Sequence, residues 1–458
     1  MSHIPHALTR REVIAGLAAA AVAGSATRAD AGAIRGQERP YLETAQRARR
    51  WLTRQAITMP TGVTWPATPN DPKSVQNNLY SGSPGVILFY LELYHATGDA
   101  EVLAVARQGA DYLADAANGP GAVQAFAGGA AGLYTGLAGI AYVLERTARA
   151  ANETAYREAA QSAIDLLKRL ARPTKSGIAW SDSNDIISGT AGIGLTLLWA
   201  AEALGDGDAV GLAVRAGRTL LDTGVAAKGG LTWPISPAVP RKYPNFSHGA
   251  AGVSCFLASL HEVANDRRFL DAATRGATYL QAVATETPGG GRMVFHSEPG
   301  NEQLFYLSWC HGPAGTARLF HKLGQVTRDR DWSRYVERLT TATRDMKVPE
   351  RSPGFWNNVS QCCGNCGVIE FLISLHGLTG DTRHLDYARH IAADTLQRAT
   401  PDEDGLKWVQ AEHRVQPQNV VAQTGLMQGA AGVGLAMLHL DGALTQRKPF
   451  VVLPDSPW

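Results

Sequence analysis

Seven times along the chain, a Gly-x-x-Gly unit gives way to a run of residues with almost no polar side. The units begin at Gly82, Gly136, Gly189, Gly249, Gly312, Gly364 and Gly429, spaced by 54, 53, 60, 63, 52 and 65 residues. The runs behind them include Val86–Leu93, Ile193–Leu204, Val253–Leu260 and Val433–Leu440. A helix apolar all round is buried all round. Between the units the pattern changes. Segments Tyr41–Thr58, Glu101–Ala116, Thr154–Ala171, Asp208–Val225, Arg268–Thr285, Trp332–Met346 and Arg383–Thr400 repeat apolar residues at helical intervals. In Thr154–Ala171, residues Tyr156, Ala159, Ala163, Leu166, Leu167 and Leu170 share one stripe. The pattern predicts seven amphipathic outer helices alternating with seven inner ones. No strand-rich domain is predicted, and Gly229–Phe246 reads as proline-rich and irregular.

Repetition at this period means that each unit buries its apolar face on a neighbour. An open stack would leave two apolar ends exposed. Seven all-apolar helices therefore predict a closed ring, an all-α, double-layered α/α toroid spanning residues 32–458. Glycine weakens a helix interior, so paired glycines at each helix start call for a steric reason. We expect them to admit a close approach between each inner helix and a loop backbone. Ser81, Thr135 and Ser188, just before three of the units, are expected to act as helix N-caps.

Residues 1–31 read as targeting rather than fold. Thr9-Arg10-Arg11-Glu12-Val13-Ile14 precedes an apolar run to Gly24, and Ala29-Asp30-Ala31 is a small-residue cleavage signature. The pattern resembles a twin-arginine export signal. It implies a partner in the bacterial twin-arginine machinery and a periplasmic or extracellular destination. The run is too short to span a bilayer, which needs about 20 apolar residues. A formal net charge of +2 argues against nucleic acid as a partner.

If the inner helices start at one level, the residues before each glycine unit share that level. They are Ser81, Thr135, Ser188, His248, His311, Cys363 and Gln428; one step earlier stand Tyr80, Tyr134, Ile187, Ser247, Cys310, Cys362 and Met427. Helix capping explains serine and threonine there, but not histidine or cysteine. Cys310, Cys362 and Cys363 thus converge from two neighbouring repeats. Three thiolates with one open position are catalytic zinc chemistry, with His311 as an alternative ligand. A buried thiol cluster or a redox pair in Cys363-Gly364-Asn365-Cys366 is the other reading, although redox C-x-x-C motifs belong in a βαβ setting. Cys366 and Cys255 are expected to pack in the core.

With Ser247-His248-Gly249, Trp309-Cys310-His311-Gly312 and Cys362-Cys363-Gly364 added to the seven units, the chain resembles the lanthionine synthetase C-like family over roughly residues 41–445. The resemblance implies a zinc-centred toroid that adds a cysteine thiol to dehydroalanine or dehydrobutyrine, forming a thioether. By position it implies Cys310, Cys362 and Cys363 as metal ligands, as in the Cys-Cys-Gly subgroup. It also implies His248 and Asp185 as catalytic residues. Two positions depart from the family: Tyr306 replaces an arginine, and His311 a frequent tyrosine. The expected partner is a peptide or small-molecule thiol or electrophile. Two other classes stay open: an exported carbohydrate-active toroid with paired carboxylates such as Asp185 and Glu370, and a non-catalytic zinc- or peptide-binding member.

Overall fold

The computed structural model describes residues 38–295, 302–411 and 414–458; the targeting pattern of residues 1–31 lies outside them. Residues Tyr41–Trp458 pack as one unit. Fourteen long helices alternate along the described chain. The outer layer holds α1 (Pro40–Gln55), α3 (Ala100–Asn118), α5 (Thr154–Arg169), α7 (Ala209–Thr223), α9 (Arg267–Val283), α11 (Arg330–Asp345) and α13 (Thr382–Gln397). The inner layer holds α2 (Ser83–Thr97), α4 (Leu137–Ala151), α6 (Thr190–Ala203), α8 (Ala250–Ala264), α10 (Pro313–Thr327), α12 (Asn365–Thr379) and α14 (Ala430–Leu444). Each inner helix packs on the next, and α14 packs on both α12 and α2, so the ring closes as predicted. No helix among the described residues is long and apolar enough to cross a membrane.

Burial follows the sequence pattern. Every residue of α2 from Ser83 to Leu93 is buried. Each such Leu, Ile or Phe contributes about 1.5–3 kcal/mol on leaving water. The outer helix α5 buries a single stripe, Tyr156, Ala160, Ala163, Ile164, Leu166 and Leu167. Ala159 and Leu170, placed on that stripe by their spacing, lie half-buried at its margins.

Inner and outer helices join through tight corners. Gly98 and Gly380 end α2 and α12 in the left-handed conformation, at φ 69° each. The next residues, Asp99 and Asp381, accept the backbone N–H two positions on and so cap α3 and α13. Asp266 and Asp329 do the same for α9 and α11. Each such cap stabilises by about 1 kcal/mol.

Every outer helix but α3 ends before its periodicity predicts. Thr58, Thr285 and Thr400 belong instead to two-stranded antiparallel hairpins, such as Ile57–Met59 paired with Gly62–Thr64. Four of these connections share one device. The indole N–H groups of Trp65, Trp180, Trp233 and Trp408 donate to the carbonyls of Leu52, Leu167, Leu220 and Thr395 at 2.7–3.0 Å. Each carbonyl lies in the last turn of an outer helix, where no intrahelical donor remains.

The glycine units behave as expected, with one correction. The first glycine of each unit is itself the helix N-cap, and no side chain makes a capping bond there. Ser81, Thr135 and Ser188 therefore do not cap. The reason for glycine is close approach. A Cβ on Gly136 would stand 1.8 Å from the Ala130 carbonyl oxygen, and one on Gly432 1.7 Å from that of Leu426.

Candidate metal centre

The loops before the inner helices are tied to one another by a closed belt of backbone hydrogen bonds. Tyr80 N–H donates to Tyr134 O, Tyr134 to Ile187, Ile186 to Ser247, Ser247 to Cys310, Cys310 to Cys362, Cys362 to Met427 and Met427 back to Tyr80, at 2.8–3.2 Å. The register read from the glycine units is thus a physical ring. Two of its members are Cys310 and Cys362, joined by a backbone hydrogen bond, and Cys363 follows in the same turn.

The three thiol sulfurs all lie within 4.8 Å of one another, and Cys310 Sγ stands 3.5 Å from Cys363 Sγ. That is far beyond the about 2.05 Å of a disulfide, and all five cysteines are free thiols. Thiolates bound tetrahedrally to zinc at about 2.3 Å stand roughly 3.8 Å apart. The cluster therefore fits a zinc ion. It is the one group among the described residues with the ligand spacing for a metal, and His311 is not part of it. Cys366 is fully buried in the first turn of α12, outside the cluster, and Cys255 is buried in α8.

Burial pushes the Cys310 thiol well above its ordinary range, with the neighbouring Cys362 and Cys363 adding to the shift. Contact with Cys310 relieves Cys362 somewhat, yet adjacent Cys363 and burial leave that thiol raised as well. Three thiolates cannot share this site without a cation. The N-termini of α10 and α12 directly behind them supply partial positive charge, and a divalent ion would supply the rest.

Two residues of the same register brace the sulfurs. Tyr80 donates its hydroxyl to Cys362 Sγ at 3.3 Å. The Gln428 amide donates to Tyr80 Oη at 3.1 Å and reaches Cys363 Sγ at 3.7 Å. Their level was readable from the glycine units, but their contact with sulfur was not.

His248 and Asp185 meet beside the cluster. The imidazole Nδ1 lies 2.5 Å from Asp185 Oδ2, while Asp185 Oδ1 accepts the Ser188 N–H at 2.9 Å. Burial would raise the carboxyl, but the charge and bond of His248 hold it below its ordinary value. Burial would lower the imidazole, but Asp185 holds it above. The His248 side chain is 32% exposed and Asp185 only 2%, so the imidazole alone of the two is accessible.

A cavity of about 430 Å³ joins these groups, lined by Tyr80, His248, Tyr306, Cys310, His311, Cys363 and Arg414 among others. His311 packs its ring against Tyr243 and Tyr306, at centroid distances of 5.2 and 5.3 Å. Arg414 hydrogen-bonds Tyr306 and is the one arginine or lysine among the described lining residues. It lies outside the glycine register, and nothing in the sequence pattern marked it. No Asp or Glu is among those lining residues. Glu370, half of the carboxylate pair considered above, lines a separate cavity and binds His439 at 2.9 Å. The paired-carboxylate arrangement is absent from the described site.

A search of curated protein sequences returned no match. Among solved structures, nisin cyclase shares the fold at TM-score 0.64, with 16% identity over 90% of this chain and 96% of that one. An α-1,6-mannanase of Salegentibacter sp. aligns at TM-score 0.46, with 15% identity over 88% and 99% of the two chains. A sugar epimerase from a ruminal bacterium aligns at TM-score 0.48, with 12% identity over 87% and 96%. The family model for lanthionine synthetase C-like proteins matches residues 73–453. The match spans all seven glycine units and the cysteine cluster, and the chain belongs to the lanthionine synthetase C-like family.

Proposed function

We propose that this protein is a zinc-dependent catalyst that adds a thiol to a dehydroalanine- or dehydrobutyrine-type acceptor, forming a thioether in a peptide. The observation that carries the proposal is the convergence of three thiols beside the His248–Asp185 pair in one open cavity. Family membership and the fold shared with a protein named nisin cyclase support the same reading.

Cys310, Cys362 and Cys363 would hold the zinc. When bound, the ion supplies an open position that favours the thiolate form of an incoming thiol. In the reaction the carbon–carbon π bond breaks, a sulfur–carbon bond forms at the β-carbon, and a proton reaches the α-carbon. His248 takes the thiol proton and returns it at the α-carbon, because its Nδ1 is engaged and its Nε2 is left for the substrate. Asp185 fixes the tautomer and offsets the charge of the imidazolium. Arg414 places a fixed positive charge where the acceptor carbonyl gains negative charge.

The pattern in residues 1–31 supports export through the twin-arginine machinery, with a folded, metal-loaded protein delivered outside the cytoplasm. The substrate is then a peptide, or a small thiol and electrophile, met in that compartment. The test is addition of a thiol to a dehydroalanine-containing peptide, followed by mass spectrometry before and after zinc removal. Loss of addition on chelation and in His248→Ala is expected. Addition that survives both sinks the proposal.

A further inference from the structure

We infer that Asp455 is a positioning residue for the metal centre, acting from a segment that enters the ring at the end opposite the cysteines. The inference rests on the zinc reading above.

After α14 the chain turns back across the ends of the inner helices. The Phe450 and Val451 N–H groups donate to Glu92 of α2 at 2.8 Å each. Tyr142 of α4 donates to Val452 O at 2.7 Å. Beyond Asp455, Gln325 of α10 donates to Pro457 O at 3.1 Å, and the Trp458 ring packs on His321 at 4.3 Å. The segment therefore crosses the ring from one side to the other.

At the middle of this crossing, the Asp455 side chain is fully buried. Tyr134 Oη donates to Asp455 Oδ2 at 3.0 Å and Trp309 Nε1 at 3.2 Å, while Arg318 forms an ion pair with Oδ1 at 3.1 Å. Tyr134 and Trp309 come from repeats on different sides of the ring, yet their rings meet at 4.9 Å. Each leads directly to a ligand sulfur. Trp309 is the residue before Cys310. Tyr134 O accepts the Tyr80 N–H of the belt, and Tyr80 Oη touches Cys362 Sγ. One carboxylate thus anchors the floor under two of the three cysteines.

The energetics give this anchor leverage. Removing the carboxylate leaves a hydroxyl and an indole N–H without their acceptor and the Arg318 guanidinium without its counter-charge, although it keeps a bond to the Asp455 backbone oxygen; each loss is costly. Groups that orient ligands without touching the metal typically change metal affinity by about 10- to 100-fold when lost.

Asp455→Asn and Tyr134→Phe test the proposal. The second removes one donor and leaves no buried charge unpaired, so it keeps the test alive if the first fails to fold. Each variant and the wild type are loaded with zinc, and release to a chromophoric chelator is timed. The cobalt-substituted forms are compared by visible absorption, which reports ligand geometry and is indifferent to global stability. Expected results are one metal per chain, release faster by about 10-fold or more and shifted cobalt bands, with thermal unfolding confirming the fold. Wild-type release rates with superimposable cobalt spectra overturn the positioning role and leave the zinc reading intact. A wild-type protein that takes up neither metal overturns both.

Discussion

His248 and Asp185 lie on loops of neighbouring repeats and meet at 2.5 Å, imidazole Nδ1 to carboxylate Oδ2. The bond makes one residue the partner of the other: the carboxylate is buried, and the imidazole reaches the cavity. We predict that Asp185→Asn lowers turnover of thiol addition by about 100-fold with zinc content unchanged. Because Asp185 holds the imidazole pKa up against burial, its loss should move the histidine limb of the pH–rate profile to lower pH. Metal analysis and kcat measured against pH check both parts. An unmoved profile would mean that the pair is structural.

Zinc binding should sort the cysteines. Cys310→Ala, Cys362→Ala and Cys363→Ala are each expected to reduce bound zinc from one equivalent per chain to a small fraction. Cys366→Ala should keep it, because Cys366 is buried outside the cluster. Elemental analysis after dialysis against free zinc decides. Full zinc in Cys362→Ala would refute the three-cysteine site.

The glycine units give a stability prediction with opposite signs at two sites. Gly432→Ala drives a Cβ to within 1.7 Å of the Leu426 carbonyl oxygen. It should destabilise by about 1–3 kcal/mol, as overpacking does. Gly377, within α12, has open space around its Cβ position. Gly377→Ala should stabilise by about 0.5–1 kcal/mol. Urea midpoints of the two variants check the contrast.

A pH dependence of stability should come from a second buried cluster, outside the cysteine cavity. His439 lies between Glu370, at 2.9 Å, and Glu92, at 3.4 Å. Burial would lower its pKa, but the two carboxylates raise it to about 10. For Glu92, burial is likewise outweighed, and its pKa falls to about 2. The imidazolium contribution is complete below its unfolded value of roughly 6.5 and is lost as pH rises through about 10. The Glu92 contribution is complete above its unfolded value of 4.5 and is lost as pH falls toward about 2. Melting temperature should therefore peak near pH 5–6 and fall toward pH 10. His439→Gln should flatten the alkaline slope, and a wild-type slope in that variant would refute the assignment.

The architecture was legible because it repeats. Burial and periodicity are local properties, so each apolar run announced an inner helix, and seven glycine pairs in register placed their starts at one level. The sequence alone brings Cys310, Cys362, Cys363 and His248 together, since each occupies a stated position in that register. The same regularity exposes a misreading: Ser81, Thr135 and Ser188 looked like caps, but close backbone approach gives the N-cap to glycine.

Other contacts carry no periodic signature. Tyr80 meets Cys362 from 282 residues away, and Tyr134 meets Asp455 from 321. Arg414 enters the cavity from a loop between repeats, and Asp455 reaches Tyr134 and Trp309 from a segment beyond the last helix. Each is a single polar residue whose partner is set by ring closure and chain reversal. Local sequence prescribes which faces are buried and where each repeat begins. Which distant polar groups then share the closed interior follows from satisfying every buried donor and acceptor in three dimensions.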